Sequence, residues 1–196
     1  MDNTDRNLID AHCQGDKTAF AELVRRYGEG LFGYLIRMSG SRDQAEDLVQ
    51  ETFKRVYEKA HTFRGTQLKN WLFTIATHMA IDSLRKRSHP RLVSLSQKAD
   101  CADEACEQLE TLAAADSSCE PSQEAAMTEQ KEQVRQAIES LPDKQRATLV
   151  LAYYQELSYR EVAEVLGCSI GTVKAQMSRA IRTLAQRLPD IAGEIK

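Results

Sequence analysis

Apolar residues recur every third or fourth position along three segments of the N-terminal half, which is the spacing of one face of an α-helix. The segments cover approximately residues 19–39, 44–60 and 68–87. The positions expected to be buried are Phe20, Leu23, Val24, Tyr27, Leu31, Tyr34 and Leu35 in the first, Ala45, Leu48, Val49, Phe53, Val56, Tyr57 and Ala60 in the second, and Trp71, Leu72, Phe73, Ile75, Ala76 and Met79 in the third. No segment alternates long enough to predict a strand. The pattern predicts an all-α fold.

A different pattern near the C-terminus predicts two helices joined by a tight turn. Ser158 and Glu161 have the spacing of a capping box, and Gly167 suits the left-handed residue that ends a helix. Ser169 can then cap a second helix. The buried stripe expected on that helix consists of Val173, Met177, Ile181, Leu184 and Leu188. This arrangement is typical of a helix-turn-helix, which places its second helix in the DNA major groove.

The outward face of this second helix carries polar and basic residues and no acid between Ile170 and Arg187. Its exposed positions are Thr172, Lys174, Ala175, Ser178, Arg179 and Arg182. Short helix pairs with a solvated charged face also occur in many enzymes. The capping box, the glycine turn and the acid-free face together favour DNA binding over that alternative.

Composition divides the chain into three parts. Residues 1–90 and 129–196 are helical blocks of mixed charge, whereas residues 91–128 are rich in acids and contain few large apolar side chains. Such a segment buries too little surface to offset its ordering entropy. We therefore predict two small helical domains joined by a flexible acidic linker. Alternatively, the acidic linker lies in a basic channel of a nucleic-acid enzyme and imitates nucleic acid.

The overall charge limits how strongly the helix-turn-helix can bind DNA without a partner. The 196 residues carry a net charge of −3, and phosphate contacts dominate DNA affinity. An acidic DNA-reading protein therefore needs another molecule to supply much of the binding free energy. This points to a subunit of a larger assembly. No signal-peptide pattern and no run of roughly 20 apolar residues is present, which predicts a cytoplasmic protein without membrane insertion.

The segment His61-Thr-Phe-Arg-Gly-Thr-Gln67 joins two predicted helices and contains an aromatic residue and an arginine. Its composition alone favours an ordinary turn with Phe63 in the core. The alternative is a pocket in which a base from single-stranded DNA stacks on the aromatic ring.

Several motifs in both helical blocks resemble one family. Asp47-Leu-Val-Gln-Glu-Thr-Phe53, Phe63-Arg-Gly65, Trp71-Leu72, Ile75-Ala76 and Asp82-Ser-Leu-Arg85 resemble domain 2 of the extracytoplasmic-function (ECF) sigma factors. Leu141-Pro-Asp143, Leu157-Ser-Tyr-Arg-Glu-Val-Ala163 and Gly171-Thr-Val-Lys174 resemble domain 4 of the same family. The motifs occur in the expected order on either side of the variable linker.

The resemblance implies a bacterial transcription initiation factor that binds core RNA polymerase. Domain 2 would contact the clamp helices of the β′ subunit and read the −10 promoter element as melted strand. Domain 4 would bind the flap of the β subunit and read the −35 element as duplex. The resemblance also implies a monomer that is restrained by an anti-sigma factor. We expect no catalytic residues, no cofactor and no metal.

Site residues follow from the resemblance by position. The polymerase contact would consist of Asp47, Gln50 and Glu51. The −10 strand would be held by Phe63, Arg64, Lys69, Trp71, His78 and Asp82. In the −35 element, the base edges would be faced by Lys174, Ala175 and Ser178, and the phosphates would be held by Arg160, Thr172, Arg179 and Arg182. Two features depart from the family. His78 occupies a position that is usually asparagine, and the spacing from Arg64 to Trp71 is one residue shorter than in some members.

Two other functions compete with the sigma interpretation. An autonomous helix-turn-helix regulator would dimerise and bind DNA tightly without polymerase, but it would leave the Asp47–Phe53 segment unexplained. A zinc or redox switch would use Cys101, Cys106, Cys119 and a histidine, although the spacing of the cysteines is looser than that of usual metal sites. In a chain without a leader, the odd number of cysteines is more typical of reduced thiols.

Overall fold

The computed structural model describes residues 3–65, 67–88 and 121–188, and these ranges contain α-helices, one 3-10 turn and no strand. The all-α prediction is confirmed. The helices are α1 (Asn3–Cys13), α2 (Lys17–Ser39), α3 (Arg42–Lys59), α4 (Leu68–Ser88), α5 (Pro121–Glu139), α6 (Asp143–Tyr153), α7 (Tyr159–Leu166) and α8 (Ile170–Arg187), with the 3-10 turn at Ala60–Thr62. Helix α5 begins at Pro121, so the last part of the predicted linker, residues 121–128, is helical. Residues 89–120, including Cys101, Cys106 and Cys119, lie outside the described residues.

The N-terminal half is built around α2. This helix is capped by Asp16, whose carboxylate accepts a hydrogen bond from the Thr18 amide at 2.8 Å, and it ends at Gly40 with a φ of 71°. Helices α3 and α4 pack on α2 around fully buried side chains such as Tyr34 and Phe73. The Tyr34 hydroxyl reaches the Thr77 hydroxyl at 2.7 Å, so the one polar atom of this buried ring is satisfied.

The C-terminal half consists of α6, α7 and α8, with α5 beside them. Val150, Val162 and Val173, one from each of the three helices, are fully buried. Helix α8 packs on both α6 and α7. This packing fixes the orientation of α8 through its buried face.

The two halves share one hydrophobic core in this structure. Buried residues of α2, α3 and α4 belong to the same cluster as buried residues of α6, α7 and α8. Helix α4 packs against α7, and α2 packs against α6 and α5. The halves are therefore in direct contact along much of α2 and α4.

Three residues that the periodic pattern assigned to the core are exposed at the surface. Val24, Tyr57 and Ile181 are 37%, 50% and 55% exposed. In α8 the buried stripe follows Val173, Met177 and Ala180, and Ile181 lies about 100° further around the helix. Periodicity predicted the buried side of each helix correctly but did not distinguish the centre of a stripe from its edge.

Within the described ranges, no helix is long and apolar enough to cross a membrane.

Candidate nucleic-acid interface

The helix-turn-helix is held by the local contacts that the sequence predicts. The Ser158 hydroxyl accepts from the Glu161 amide at 3.3 Å, and the Glu161 carboxylate accepts from the Ser158 amide at 2.8 Å. Gly167 ends α7 with a φ of +60°. Ser169 then caps α8 by accepting from the Thr172 amide at 3.0 Å. The capping box, the glycine turn and the second cap are all confirmed.

The carboxylate of Glu161 is kept ionised by its surroundings. The hydrogen bond from the Ser158 hydroxyl lowers the pKa of Glu161 most, followed by the Ser158 amide. Gln67 and the positive charge of Lys69 lower this pKa further. Gln67 and Lys69 belong to the N-terminal half, so this half influences the carboxylate across the contact between α4 and α7.

Helix α8 presents a continuous exposed surface. Its exposed side chains include Thr172, Lys174, Ala175, Ser178, Arg179 and Arg182, as predicted. Val173, Met177 and Ala180 are buried on the opposite side and hold the helix in place. Arg160 is exposed in the first turn of α7. A rigid helix with small and basic side chains on its free face fits the major groove, where lysine and arginine meet phosphates and guanine edges.

The predicted −10 residues are divided between a helix face and a loop. One face of α4 carries Trp71, His78 and Asp82, because His78 follows Trp71 by seven residues and Asp82 follows His78 by four. Both His78 and Asp82 are exposed. Arg64 is exposed in the preceding loop, where its guanidinium donates to the His61 carbonyl at 3.3 Å. The loop with Arg64 thus lies at the N-terminal end of α4, whereas His78 and Asp82 lie further along the helix.

Phe63 does not offer a free aromatic surface. Its side chain is 8% exposed, and its ring lies 5.2 Å from the Trp71 ring, measured between centroids. Of the two alternatives for this loop, an ordinary turn with Phe63 in the core describes the structure better than an open pocket for base stacking. Phe63 can support the loop and the indole of Trp71, but in this arrangement it has no open face for a base.

Lys69 is already engaged within the protein. Its ammonium donates to the backbone oxygen of Gln155 at 2.8 Å, across the contact between the two halves. The neighbouring Asn70 is buried, and its amide donates to the Glu164 carboxylate of α7 at 3.1 Å. Sequence analysis did not single out Asn70, Gln155 or Glu164, because none of them belongs to a recognisable motif.

The predicted polymerase-binding residues lie on the outer face of α3. Asp47 and Gln50 are exposed, whereas Glu51 is half-buried and forms an ion pair with Arg55 at 3.1 Å. On the opposite face the buried Thr52 hydroxyl donates to the Leu48 carbonyl at 2.6 Å. The polar face is thus left outside the core, which makes it available to a partner.

The described thiols are single and separate. Cys13 is exposed and Cys168 is partly buried, and both are free. In the parts of the chain that the structure describes, no group of histidine, cysteine and carboxylate residues is arranged to hold a metal ion.

Both halves of the chain match known protein families. Residues 23–89 match the family Sigma-70 region 2, and residues 131–184 match the family Sigma-70, region 4. The chain is 32% identical over 179 residues to the ECF RNA polymerase sigma factor SigW of Bacillus subtilis, covering 91% of this chain and 93% of that protein. It is 30% identical over 195 residues to the RNA polymerase sigma-H factor of Pseudomonas aeruginosa, covering 97% and 96%.

Two solved structures share the fold over most of the chain. CnrH in complex with the cytosolic domain of CnrY superposes with a TM-score of 0.68 at 23% identity, covering 96% of this chain and 99% of that one. RpoE of Bartonella quintana in complex with the anti-sigma factor NepR superposes with a TM-score of 0.61 at 27% identity, covering 87% and 96%.

Proposed function

Because the chain belongs to the extracytoplasmic-function family of RNA polymerase sigma factors, we propose that the surfaces described above are its polymerase and promoter contacts. As a member of this family it is an alternative sigma factor, a transcription initiation factor that directs RNA polymerase to promoters. Family membership argues against the autonomous regulator. What remains to be assigned is which side chains perform each contact.

The exposed face of α8 is the proposed contact to the −35 element. Lys174, Ala175 and Ser178 lie along this face and would meet base edges. Arg179 and Arg182 would hold phosphates, which position the helix without specifying sequence. Arg160 on α7 and Thr172 at the start of α8 would extend the phosphate contacts to either side.

The −10 strand would lie along α4 and the loop before it. Trp71, His78 and Asp82 share one face of the helix, and Arg64 and Lys69 supply positive charge at its N-terminal end. Capture of unstacked bases there would offset the cost of opening the duplex. The buried position of Phe63 makes this residue a support for Trp71 in our proposal.

The partner of the outer face of α3 is proposed to be the clamp of core polymerase. Asp47, Gln50 and Glu51 form a compact acidic and amide surface on a helix whose other side is buried in the core. A rigid polar surface of this kind matches a basic partner surface. The flap of the β subunit is the proposed partner of the C-terminal half.

An anti-sigma factor is the proposed regulatory partner. The structural relative from Bartonella quintana is bound to the anti-sigma factor NepR, and its fold is shared by this chain. We place the activity in the cytoplasm, where a polymerase subunit must act.

The assignment of α3 is tested by binding to bacterial core RNA polymerase. The variant Asp47→Ala, Gln50→Ala, Glu51→Ala should bind roughly tenfold more weakly or worse, which corresponds to about 1.4 kcal/mol. The matched control Asp10→Ala, Gln14→Ala, Glu129→Ala removes the same side-chain types from exposed positions on other elements. Fluorescence anisotropy with labelled protein gives both dissociation constants. Equal affinities for the two variants would remove α3 from the polymerase contact.

A further inference from the structure

Helix α1 lies before the segment that matches Sigma-70 region 2, which begins at residue 23. The helix nevertheless has a defined place in the structure. It packs along α2 and against the 3-10 turn, which leads into the loop at residues 63–65, called here the Phe63 loop. Ile9, in the second half of α1, is 2% exposed, and Leu8 beside it is partly buried. The apolar side of α1 therefore faces the loop before α4.

A small hydrophobic cluster lies under the Phe63 loop, and its buried members are distinct from those of the core that the two halves share. These members are Ile9, Leu23, Ala60, Phe63 and Leu68. The last three belong to the 3-10 turn, the loop and the first residue of α4. The other two come from α1 and α2, so α1 supplies one wall of the cluster that supports the loop.

The Phe63 ring connects this cluster to the backbone of the loop. The Phe63 amide donates to the Ala60 carbonyl at 3.0 Å, which holds the residue against the 3-10 turn. A β-carbon added to Gly65 would lie 3.1 Å from the ring, so the loop backbone rests on this aromatic side chain. The Phe63 ring also packs on Trp71, which is itself in contact with the cluster. Displacement of the ring would therefore move both Arg64 and Trp71.

Polar and aromatic contacts hold α1 at both of its ends. In the first turn the Asp5 carboxylate accepts hydrogen bonds from the Arg26 guanidinium and the Tyr27 hydroxyl of α2. In the last turn the His12 ring lies 4.5 Å from the Tyr57 ring of α3, measured between centroids. An isolated helix of 11 residues is marginal in water, so such contacts decide whether α1 is formed and docked. Undocking of α1 is thus a local event that leaves the shared core in place.

The contacts of α1 lie away from the proposed polymerase surface. Helix α1 meets α3 near Tyr57, in the last turn of α3, whereas Asp47 and Gln50 lie in its first half. Tyr57 follows Asp47 by ten residues, which corresponds to about 15 Å along the helix. A change in the docking of α1 therefore reaches the Phe63 loop and leaves the outer face of α3 as it is.

We propose that α1 is a positioning element for capture of the −10 strand and that Ile9 is its main positioning residue. Ile9 supports Phe63 and Leu68 from below the loop. Through this support it sets the positions of Arg64 and of the Trp71 ring. The inference rests on the −10 role proposed above for the loop and α4. It adds to that role a helix that precedes the family-matched segment and acts without touching DNA.

The full-length chain offers a matched set of variants. Ile9→Ala removes the support from α1, and Ile9→Leu restores an apolar side chain of equal volume. Ile138→Ala is the control, because Ile138 is 5% exposed in the shared core and is not among the residues proposed to contact DNA or polymerase. Asp5→Asn loosens the first turn of α1 without a cavity, and its control is Glu22→Gln, since Glu22 also pairs with Arg26. This second pair decides the question by the same measurements if Ile9→Ala does not fold.

The position of the loop can be followed directly, because Trp71 is the single tryptophan of the chain. Acrylamide quenching of its fluorescence should increase in Ile9→Ala and, to a smaller extent, in Asp5→Asn. Quenching should stay at the native level in Ile9→Leu and in both controls. Circular dichroism checks that all variants are folded.

Strand capture is measured with holoenzyme reconstituted from bacterial core RNA polymerase. The probe is the labelled single-stranded DNA 20-mer that native holoenzyme enriches most from a random pool, and a scrambled 20-mer of the same composition is the reference. Ile9→Ala should reduce the ratio of the two affinities roughly fivefold or more, which is the effect of losing one stacked base. Ile9→Leu should restore the ratio, and affinity for core polymerase should stay at the native level throughout. A general loss of stability would lower binding of both probes alike and leave the ratio unchanged.

Arg64→Ala separates failure of the positioning role from failure of the −10 assignment. If Arg64→Ala lowers the ratio while Ile9→Ala behaves like Ile138→Ala, the positioning role is overturned and the −10 role of the loop stands. Increased quenching of Trp71 in Ile9→Ala with a native ratio would likewise overturn the positioning role. If neither Arg64→Ala nor Ile9→Ala changes the ratio, the loop does not hold the strand, and both assignments are lost.

Discussion

At the scale of single residues, Lys174 and Arg179 are proposed to make two different kinds of DNA contact from one helix. Both are exposed on α8, and the buried Val173 and Met177 beside them fix the helix. Lys174 lies near the N-terminal end of α8, the part of a recognition helix that contacts base edges in helix-turn-helix proteins. Arg179 lies more than a turn further along and is assigned to a phosphate. The two side chains should therefore differ in their effect on specificity.

Replacing Lys174 by alanine should relax the sequence preference in the −35 element. A good base contact contributes about 1–3 kcal/mol of discrimination, which disappears with the side chain. The measurement is holoenzyme binding to duplexes with a randomised −35 region at fixed salt, followed by sequencing of the bound fraction. Arg179→Ala is the comparison and should weaken binding of all sequences alike. A uniform loss with Lys174→Ala would make Lys174 a phosphate contact.

At the scale of elements, the turn between α7 and α8 depends on one backbone conformation. Gly167 has a φ of +60°, and a β-carbon placed there would meet no atom within 4 Å. The cost of a side chain at this position is therefore purely conformational. Gly28 has equally open surroundings but the opposite backbone preference, because it lies inside α2 without a positive φ.

The two glycines should respond to alanine with opposite signs. Gly167→Ala should destabilise the protein by about 1–2 kcal/mol because it forces an L-residue into the left-handed region. Gly28→Ala should stabilise it by about 0.5–1 kcal/mol, the helix preference of alanine over glycine. Urea unfolding followed by circular dichroism gives both free energies of unfolding. A stable Gly167→Ala variant would show that the turn adopts another conformation.

At the scale of the whole molecule, Arg146 joins three helices. Its guanidinium donates to the Met38 carbonyl at 2.6 Å and the Leu141 carbonyl at 3.2 Å, and it also donates to the Glu139 carbonyl. Met38 and Glu139 lie in the last turns of α2 and α5, where the helix dipole favours a positive charge. Burial lowers the pKa of Arg146, with nearby acids opposing this effect.

Arg146→Met should destabilise the closed protein by about 3 kcal/mol, because it leaves buried carbonyls without donors. Arg135→Met is the control. Arg135 is exposed and pairs with Glu132, whose pKa falls to about 2 through this contact. Water screens such surface pairs, so the control should change stability much less. Thermal unfolding measures both variants, and equal melting temperatures would contradict a joining role for Arg146.

The sequence alone determined the elements that depend on local signals. The helix-turn-helix follows from Ser158, Glu161, Gly167 and Ser169, each of which acts within a few residues of its own position. Likewise, the apolar stripes predicted α2, α3 and α4 to within about two residues. These features were predictable because capping hydrogen bonds and helical periodicity involve neighbours in the chain.

Only the tertiary structure decided how these elements meet. It buried Phe63 against Trp71, exposed Ile181, and brought Asn70 to Glu164 across 94 residues of sequence. No local pattern encodes such a contact, because it depends on how complete helices pack and not on the preference of either residue. The sequence therefore predicted which surfaces would read DNA and contact polymerase, and the packing of α7 on α4 decided which of those residues are covered.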